Sequence, residues 1–179
     1  VPARAIVAVP IGTFHTWPRS HSDNGSRRYS ALAQINKGNV NSLEMAWTYR
    51  SGDGAANIQC TPIIVDGVMY APTPGYALVA VDAVSGKEKW RLPIEVPKQI
   101  RNHDQVARRG LVYWPGDREN GPRLIFGSGE WFYAADPATG KLLPNWGENG
   151  RTPIPSGATV EKRQSCLPCL LYTSPSPRD

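Results

Sequence analysis

The chain has 179 residues, with 20 Lys+Arg against 15 Asp+Glu and a formal charge of +5. Charges of both signs are interspersed and no basic block interleaves with aromatics, which reads as a mildly basic surface and argues against nucleic-acid binding. No apolar run approaches the roughly 18–20 residues of a membrane-spanning helix, and 6 Trp, 7 Tyr, 17 Gly and 17 Pro favour a turn-rich β protein.

In chain order, residues 1–28 read as an irregular N-terminal segment, and Ala5 to Pro10 resembles the scrap of a secretory signal. Because the chain starts with Val, its front end reads as incomplete. Tyr29 to Val40 reads as a polar connector, with a helical turn over Asn39-Val40-Asn41-Ser42-Leu43. Leu43 to Tyr49 alternates apolar and polar positions, which predicts a strand with Trp47 on its buried face. Thr61-Pro62-Ile63-Ile64-Val65 and Val68-Met69-Tyr70-Ala71 flank Asp66-Gly67, the strongest short-range hairpin signal.

An internal repeat follows. Ala80-Val81-Asp82-Ala83-Val84-Ser85-Gly86-Lys87 recurs 54 positions later as Ala134-Ala135-Asp136-Pro137-Ala138-Thr139-Gly140-Lys141. In each copy an Asp ends an apolar strand, where its carboxylate accepts backbone N–H groups two residues on. The Gly supplies the positive φ of a tight turn. Trp90, on the strand after the first turn, carries enough apolar area to join one sheet to the next. A repeat of about this length, made of short strands and turns, predicts an all-β fold of antiparallel four-stranded propeller blades rather than a helical solenoid.

The first blade is complete by Leu92, and a polar loop spans roughly 97–109. The second blade is expected from Leu111-Val112-Tyr113-Trp114, Arg123 to Gly127, Trp131 to Ala134 and a strand after Gly140. The partial propeller is placed at 29–168. Residues 169–179 match a reading frame of the transposase adapter used for sequencing libraries, and the reading is that they are read-through. On that reading Cys166-Leu167-Pro168-Cys169 is no redox or zinc motif, and Cys60 and Cys166 form no disulfide framework.

With two blades in place, several stretches resemble the pyrroloquinoline-quinone (PQQ) dependent dehydrogenases, eight-bladed quinoprotein propellers of the periplasm. They are Arg28 to Asn36 with Asn39-Val40 and Leu43 to Trp47; Ile58-Gln59-Cys60-Thr61-Pro62; both repeat signals; Arg109-Gly110-Leu111-Val112-Tyr113-Trp114; and Gly147-Glu148-Asn149-Gly150-Arg151. The resemblance covers about residues 17–151 and implies the N-terminal quarter or third of such an enzyme. It assigns PQQ contacts to Arg109 and Gln59. A guanidinium suits a cofactor with three carboxylates and quinone oxygens, whereas Gln59 stands where many members place a Glu and brings no charge.

The resemblance also has departures. Where alcohol-oxidising members carry a vicinal cysteine pair, this chain has His103-Asp104, and where sugar-oxidising members often carry a His it has Gln105. His21-Ser22 replaces the usual glycine pair after Trp17-Pro18. The balance leans toward the aldose type. The implied activity is oxidation of a glucose-like sugar or an alcohol, with electrons passed to a respiratory quinone or cytochrome. The implied place is the periplasm, with membrane attachment of the full-length protein left open. Ca²⁺ is implied as the second cofactor. Its ligands and the catalytic Asp are expected beyond residue 168, so no catalytic or metal residue is assigned here, and Asp82 and Asp136 belong to their turns. The competing reading is a propeller scaffold without enzymatic activity, of the type that helps assemble outer-membrane barrels.

Overall fold

The computed structural model describes residues 16–22, 28–30, 32–54, 60–94, 111–128 and 131–154. Within them lie eight strands: β1 (Ile63–Val65), β2 (Val68–Pro72), β3 (Ala77–Asp82), β4 (Glu88–Pro93), β5 (Leu111–Trp114), β6 (Arg123–Ser128), β7 (Trp131–Ala135) and β8 (Arg151–Pro153). They form two antiparallel four-stranded sheets, β1-β2-β3-β4 and β5-β6-β7-β8, each in simple chain order.

The local chemistry explains this meander. Asp66 and Gly67 both have positive φ, 48° and 77°, as a type I′ hairpin requires, and Val65 faces Val68 across the turn. The two repeat turns share their main hydrogen bonds. Asp82 Oδ1 accepts from the amides of Val84 (3.2 Å) and Ser85 (2.7 Å), and the Gly86 amide donates to Asp82 O at 2.8 Å. Asp136 Oδ1 accepts from Ala138 (2.7 Å) and Thr139 (3.3 Å), and the Gly140 amide donates to Asp136 O at 2.8 Å. Gly86 and Gly140 share the same φ, 71°. Both Asp residues are therefore turn residues, and hydrogen bonds from Ser85 hold the Asp82 carboxyl below its ordinary range.

The core lies between the sheets. Ile63, Tyr70, Leu78 and Ala80 from the first meet Leu111, Leu124, Phe126 and Tyr133 from the second. Phe126 and Tyr133 stack at 5.4 Å, and Tyr70 leans on Trp90 at 5.7 Å. Val79 and Val81 point to the opposite face of β3 and are 1% and 0% exposed, so both faces of this central strand are covered. That explains why the sequence of β3 is a continuous apolar run instead of an alternating one.

Two expectations change. The strand predicted over Leu43–Tyr49 is extended at Leu43 (φ −68°, ψ 135°) but has no ladder partner among the described residues. The helical turn before it is present as a 3₁₀ turn over Val40–Ser42. The fourth strand of the second sheet does not follow Gly140 directly. Leu142 makes one isolated bridge to Ala135, the chain turns through residues 144–150, and β8 completes the sheet with Tyr133 opposite Arg151. Pro144 has no N–H to give a ladder, and Gly150, at φ 87°, packs so close to Leu142 that a Cβ would come within 2.7 Å of the leucine's own.

Candidate functional site

β1 and β5 are the first strands of their sheets, and they approach one another. Cys60, just ahead of β1, and Leu111, which opens β5, come to the same place. A largely apolar cleft lies there, lined by Cys60, Tyr76, Leu78, Ile94, Leu111 and Phe126. Gln59 and Arg109, the two residues assigned to cofactor binding, lie outside the described residues, as do His103, Asp104 and Gln105. Their neighbours in sequence do not. Gln59 directly precedes Cys60, and Arg109 stands two positions before Leu111. The fold thus brings to one cleft Cys60 and Leu111, which are some fifty residues apart in the chain.

Cys60 is a free thiol within hydrogen-bond reach of Thr61 O, at 3.4 Å. Burial pushes its pKa up to about 11, so at pH 8 the thiolate fraction falls to about one in a thousand. Alkylation of Cys60 by iodoacetamide at pH 8, followed by peptide mass spectrometry, should run about a hundredfold slower than for a free cysteine. A rate equal to that of a short cysteine peptide would show that the thiol is not held in this cleft.

The inner edge of the sheets carries a feature that residue patterns did not announce. Trp17 pairs with Ile64 on the free edge of β1, exchanging hydrogen bonds of 2.6 and 3.1 Å, and Pro18 O accepts the Tyr113 amide of β5 at 2.8 Å. Two residues of the otherwise irregular N-terminal segment therefore bridge the leading strands of both sheets. The signal was present in Trp17-Pro18, but the segment lacks the alternation that marks a strand.

Among the described residues, no three His, Cys, Asp or Glu side chains come together as a metal site. Acids and bases there serve the framework. Arg123 lies over the Trp114 ring at 4.5 Å and Arg151 over Trp131 at 4.3 Å, and Asp117 accepts from the Glu119 and Asn120 amides at 2.9 and 2.8 Å. What the described part offers is a cleft and the frame around it.

The sequence matches the family described as glucose/ethanol/alcohol dehydrogenase, β-propeller domain, of the PQQ type, over residues 17–176. The chain belongs to this PQQ β-propeller family. It is 37% identical over 157 residues to the dehydrogenase subunit of the quinone alcohol dehydrogenase of Gluconacetobacter polyoxogenes, covering 86% of this chain and 19% of that protein. It is 31% identical over 169 residues to quinoprotein glucose dehydrogenase A of Acinetobacter calcoaceticus, covering 80% of this chain and 21% of that one. Among solved structures, the quinohemoprotein alcohol dehydrogenase of Comamonas testosteroni is similar at a TM-score of 0.63 and 29% identity, over 80% of this chain and 20% of that one. The chain thus spans about a fifth of the length of these PQQ-family relatives. The two sheets are propeller blades, and the relatives named above are dehydrogenases.

Proposed function

We propose that this chain is part of a PQQ-dependent dehydrogenase that oxidises the CH–OH group of an aldose or an alcohol and passes the electrons to a respiratory quinone or cytochrome. The observation that carries the reading is the convergence of Cys60 and Leu111 on one cleft, in a chain of this family whose Gln59 and Arg109 stand one and two positions before them in sequence. The donor chemistry suits the cofactor. A guanidinium grips carboxylates and quinone oxygens through paired N–H bonds, and the Gln59 amide adds a neutral donor. When bound, PQQ supplies the redox chemistry, taking up the two electrons released as the CH–OH becomes a carbonyl.

In this proposal the protein's own residues hold and orient the cofactor at the hub, and the apolar lining of the cleft keeps water from the neighbouring stretch. The described residues offer no donor set for Ca²⁺. The family resemblance puts the ligands of the ion and the general base beyond residue 168, and the proposal keeps them there. A periplasmic setting, soluble or membrane-attached, is part of the same proposal.

The test uses the full-length parent polypeptide loaded with PQQ and Ca²⁺, assayed with a phenazine dye as electron acceptor. Turnover of glucose or ethanol is expected, and the 179-residue chain under the same conditions should show none. A parent protein that neither binds PQQ nor oxidises any sugar or alcohol would overturn the proposal. Turnover by the 179-residue chain would overturn the placement of the catalytic groups elsewhere.

A further inference from the structure

The leading strands of the two sheets are tied together by one dipeptide. The Trp17 amide donates to Ile64 O of β1 at 2.6 Å, and the Ile64 amide returns a bond to Trp17 O at 3.1 Å. Pro18 O accepts the Tyr113 amide of β5 at 2.8 Å. Successive residues of an extended chain turn their backbone groups to opposite sides, so Trp17 serves β1 and Pro18 serves β5. Proline suits the second place. It has no N–H to leave unpaired between the strands, its φ is fixed, and it holds the residue before it in the extended conformation that pairing with Ile64 requires.

The dipeptide is itself held from behind. The Trp17 indole donates to Ser20 O at 3.4 Å, and the Ser22 amide closes a turn on Arg19 O at 3.0 Å. Arg28 reaches back to His21 twice, its amide donating to the carbonyl at 3.3 Å and its guanidinium to Nε2 at 3.0 Å. Ser22 and Arg28 take positive φ, 75° and 53°. That backbone is costly for an L residue and persists where its surroundings impose it. The stretch that carries the tie is therefore anchored, although its sequence has no strand or helix pattern.

A second tie joins the sheets at another place. Trp90 and Tyr70 both donate to Pro137 O, at 2.9 and 3.2 Å. Pro137 follows the end of β7, which runs in the same direction as β5, so that junction lies at the end of the strands away from Leu111. Cys60, three positions ahead of Ile63, and Leu111, which opens β5, line the cleft. Ile64 stands four positions after Cys60, and Tyr113 two after Leu111. Of the two ties, the dipeptide is the one made to the strands that carry the cleft.

We propose that Trp17-Pro18 is a clamp that sets the gap between β1 and β5, and so keeps the cleft between Cys60 and Leu111 in the shape that serves cofactor binding. The proposal rests on the function proposed above and adds a positioning element to it. Trp17 and Pro18 act through the strands they join, not by touching substrate or cofactor. With the clamp closed, the two leading strands keep one spacing and the site meets PQQ already formed. With it open, β1 keeps only its ladder to β2, and β5 only its ladder to β6. Part of the binding free energy then goes to restoring the spacing, which lowers affinity.

Three variants of the full-length parent protein, in the apo form, test this. Trp17→Pro combined with Pro18→Gly removes the Trp17 donor and the stiffness of the pair. Pro18→Gly alone removes only the stiffness, and Trp17→Phe keeps the three backbone bonds. In the double variant, PQQ binding measured by calorimetry should weaken about tenfold or more, as when the competent state falls to about a tenth of the population. Iodoacetamide should alkylate Cys60 faster by a similar factor, while the exchange protection of β3 stays unchanged. Pro18→Gly should fall between, and Trp17→Phe should match the unaltered protein on both measures. Unchanged PQQ affinity or an unchanged thiol rate in the double variant would overturn the clamp, as would a Trp17→Phe variant that loses as much. Where the double variant loses β3 protection, Pro18→Gly decides, and loss of that protection in Pro18→Gly itself would make the pair a support of the whole fold and sink the proposal. A parent that binds no PQQ defeats the proposed function instead, and the Cys60 rate alone then decides the clamp.

Discussion

Trp90→Ala is expected to lower the folding stability of the parent protein's N-terminal blades by about 3 kcal/mol or more, toward the range seen when large aromatic side chains are truncated to alanine. The indole touches three parts of the junction at once. It leans on Tyr70, covers the Gly140 turn and caps the Pro137 carbonyl. Its loss leaves a cavity between the sheets and takes the indole donor from the Pro137 carbonyl, which keeps only the Tyr70 hydroxyl at 3.2 Å. Urea unfolding of the parent, followed by the exchange protection of β3, measures the effect. Val84→Ala, at a residue 77% exposed in the first repeat turn, should stay within about 0.5 kcal/mol. Equal losses from the two substitutions would mean that the indole does not join the blades.

Gly140→Ala probes the same junction from the other side. The methyl group adds almost nothing in size, yet it must enter a left-handed backbone at φ 71° and meets the Trp90 ring at 2.5 Å. Left-handed strain of about 1 kcal/mol joins an overpacking penalty of about 1–3 kcal/mol. In the Trp90→Ala background the steric part disappears, so the double variant should cost less than the sum of the two, the coupling expected of residues in contact.

Much of this architecture is legible in the sequence because it is local. Asp66-Gly67 specifies its own hairpin, and Asp82 and Asp136 close their turns with groups two and three residues away. The pairing of Trp90 with Gly140 was only half legible. Each residue stands out alone, but the contact spans 50 positions, and nothing in either segment names its partner. The missing ladder at residues 43–49 is a related case, since alternation reports an extended backbone and a buried face while a strand needs a neighbour as well. The displacement of β8 depended on Pro144 and on the close packing of Gly150 against Leu142, details that a repeat copied from the first blade conceals. Trp17 and Pro18 failed to register for the opposite reason, being two residues bridging two edges with no periodicity to display. At the site, Gln59 and Arg109 came from family resemblance and not from any pattern of their own. The residues beside them, Cys60 and Leu111, meet only because each opens a sheet.

In the proposed function, Arg109 is the residue whose removal should most affect the cofactor. Arg108 and Arg109 are adjacent and carry the same charge, so a purely long-range attraction for an anionic ligand would treat them alike and fade with salt. A guanidinium that grips the cofactor directly is different, because its truncation strips charge-assisted hydrogen bonds from a group removed from water, a loss of about 2–4 kcal/mol. Calorimetric titration of the apo parent protein with PQQ should therefore show Arg109→Ala weakening binding about 30- to 1000-fold. Arg108→Ala should weaken it less than about fivefold, the scale of a solvated charge. Gln59→Ala removes one neutral amide and should cost about 1 kcal/mol, roughly fivefold. Arg109→Lys should fall between, since an ammonium keeps the charge but not the planar fork. Equal losses at residues 108 and 109 would return Arg109 to solvent, and the cofactor would then owe its place to residues elsewhere in the ring.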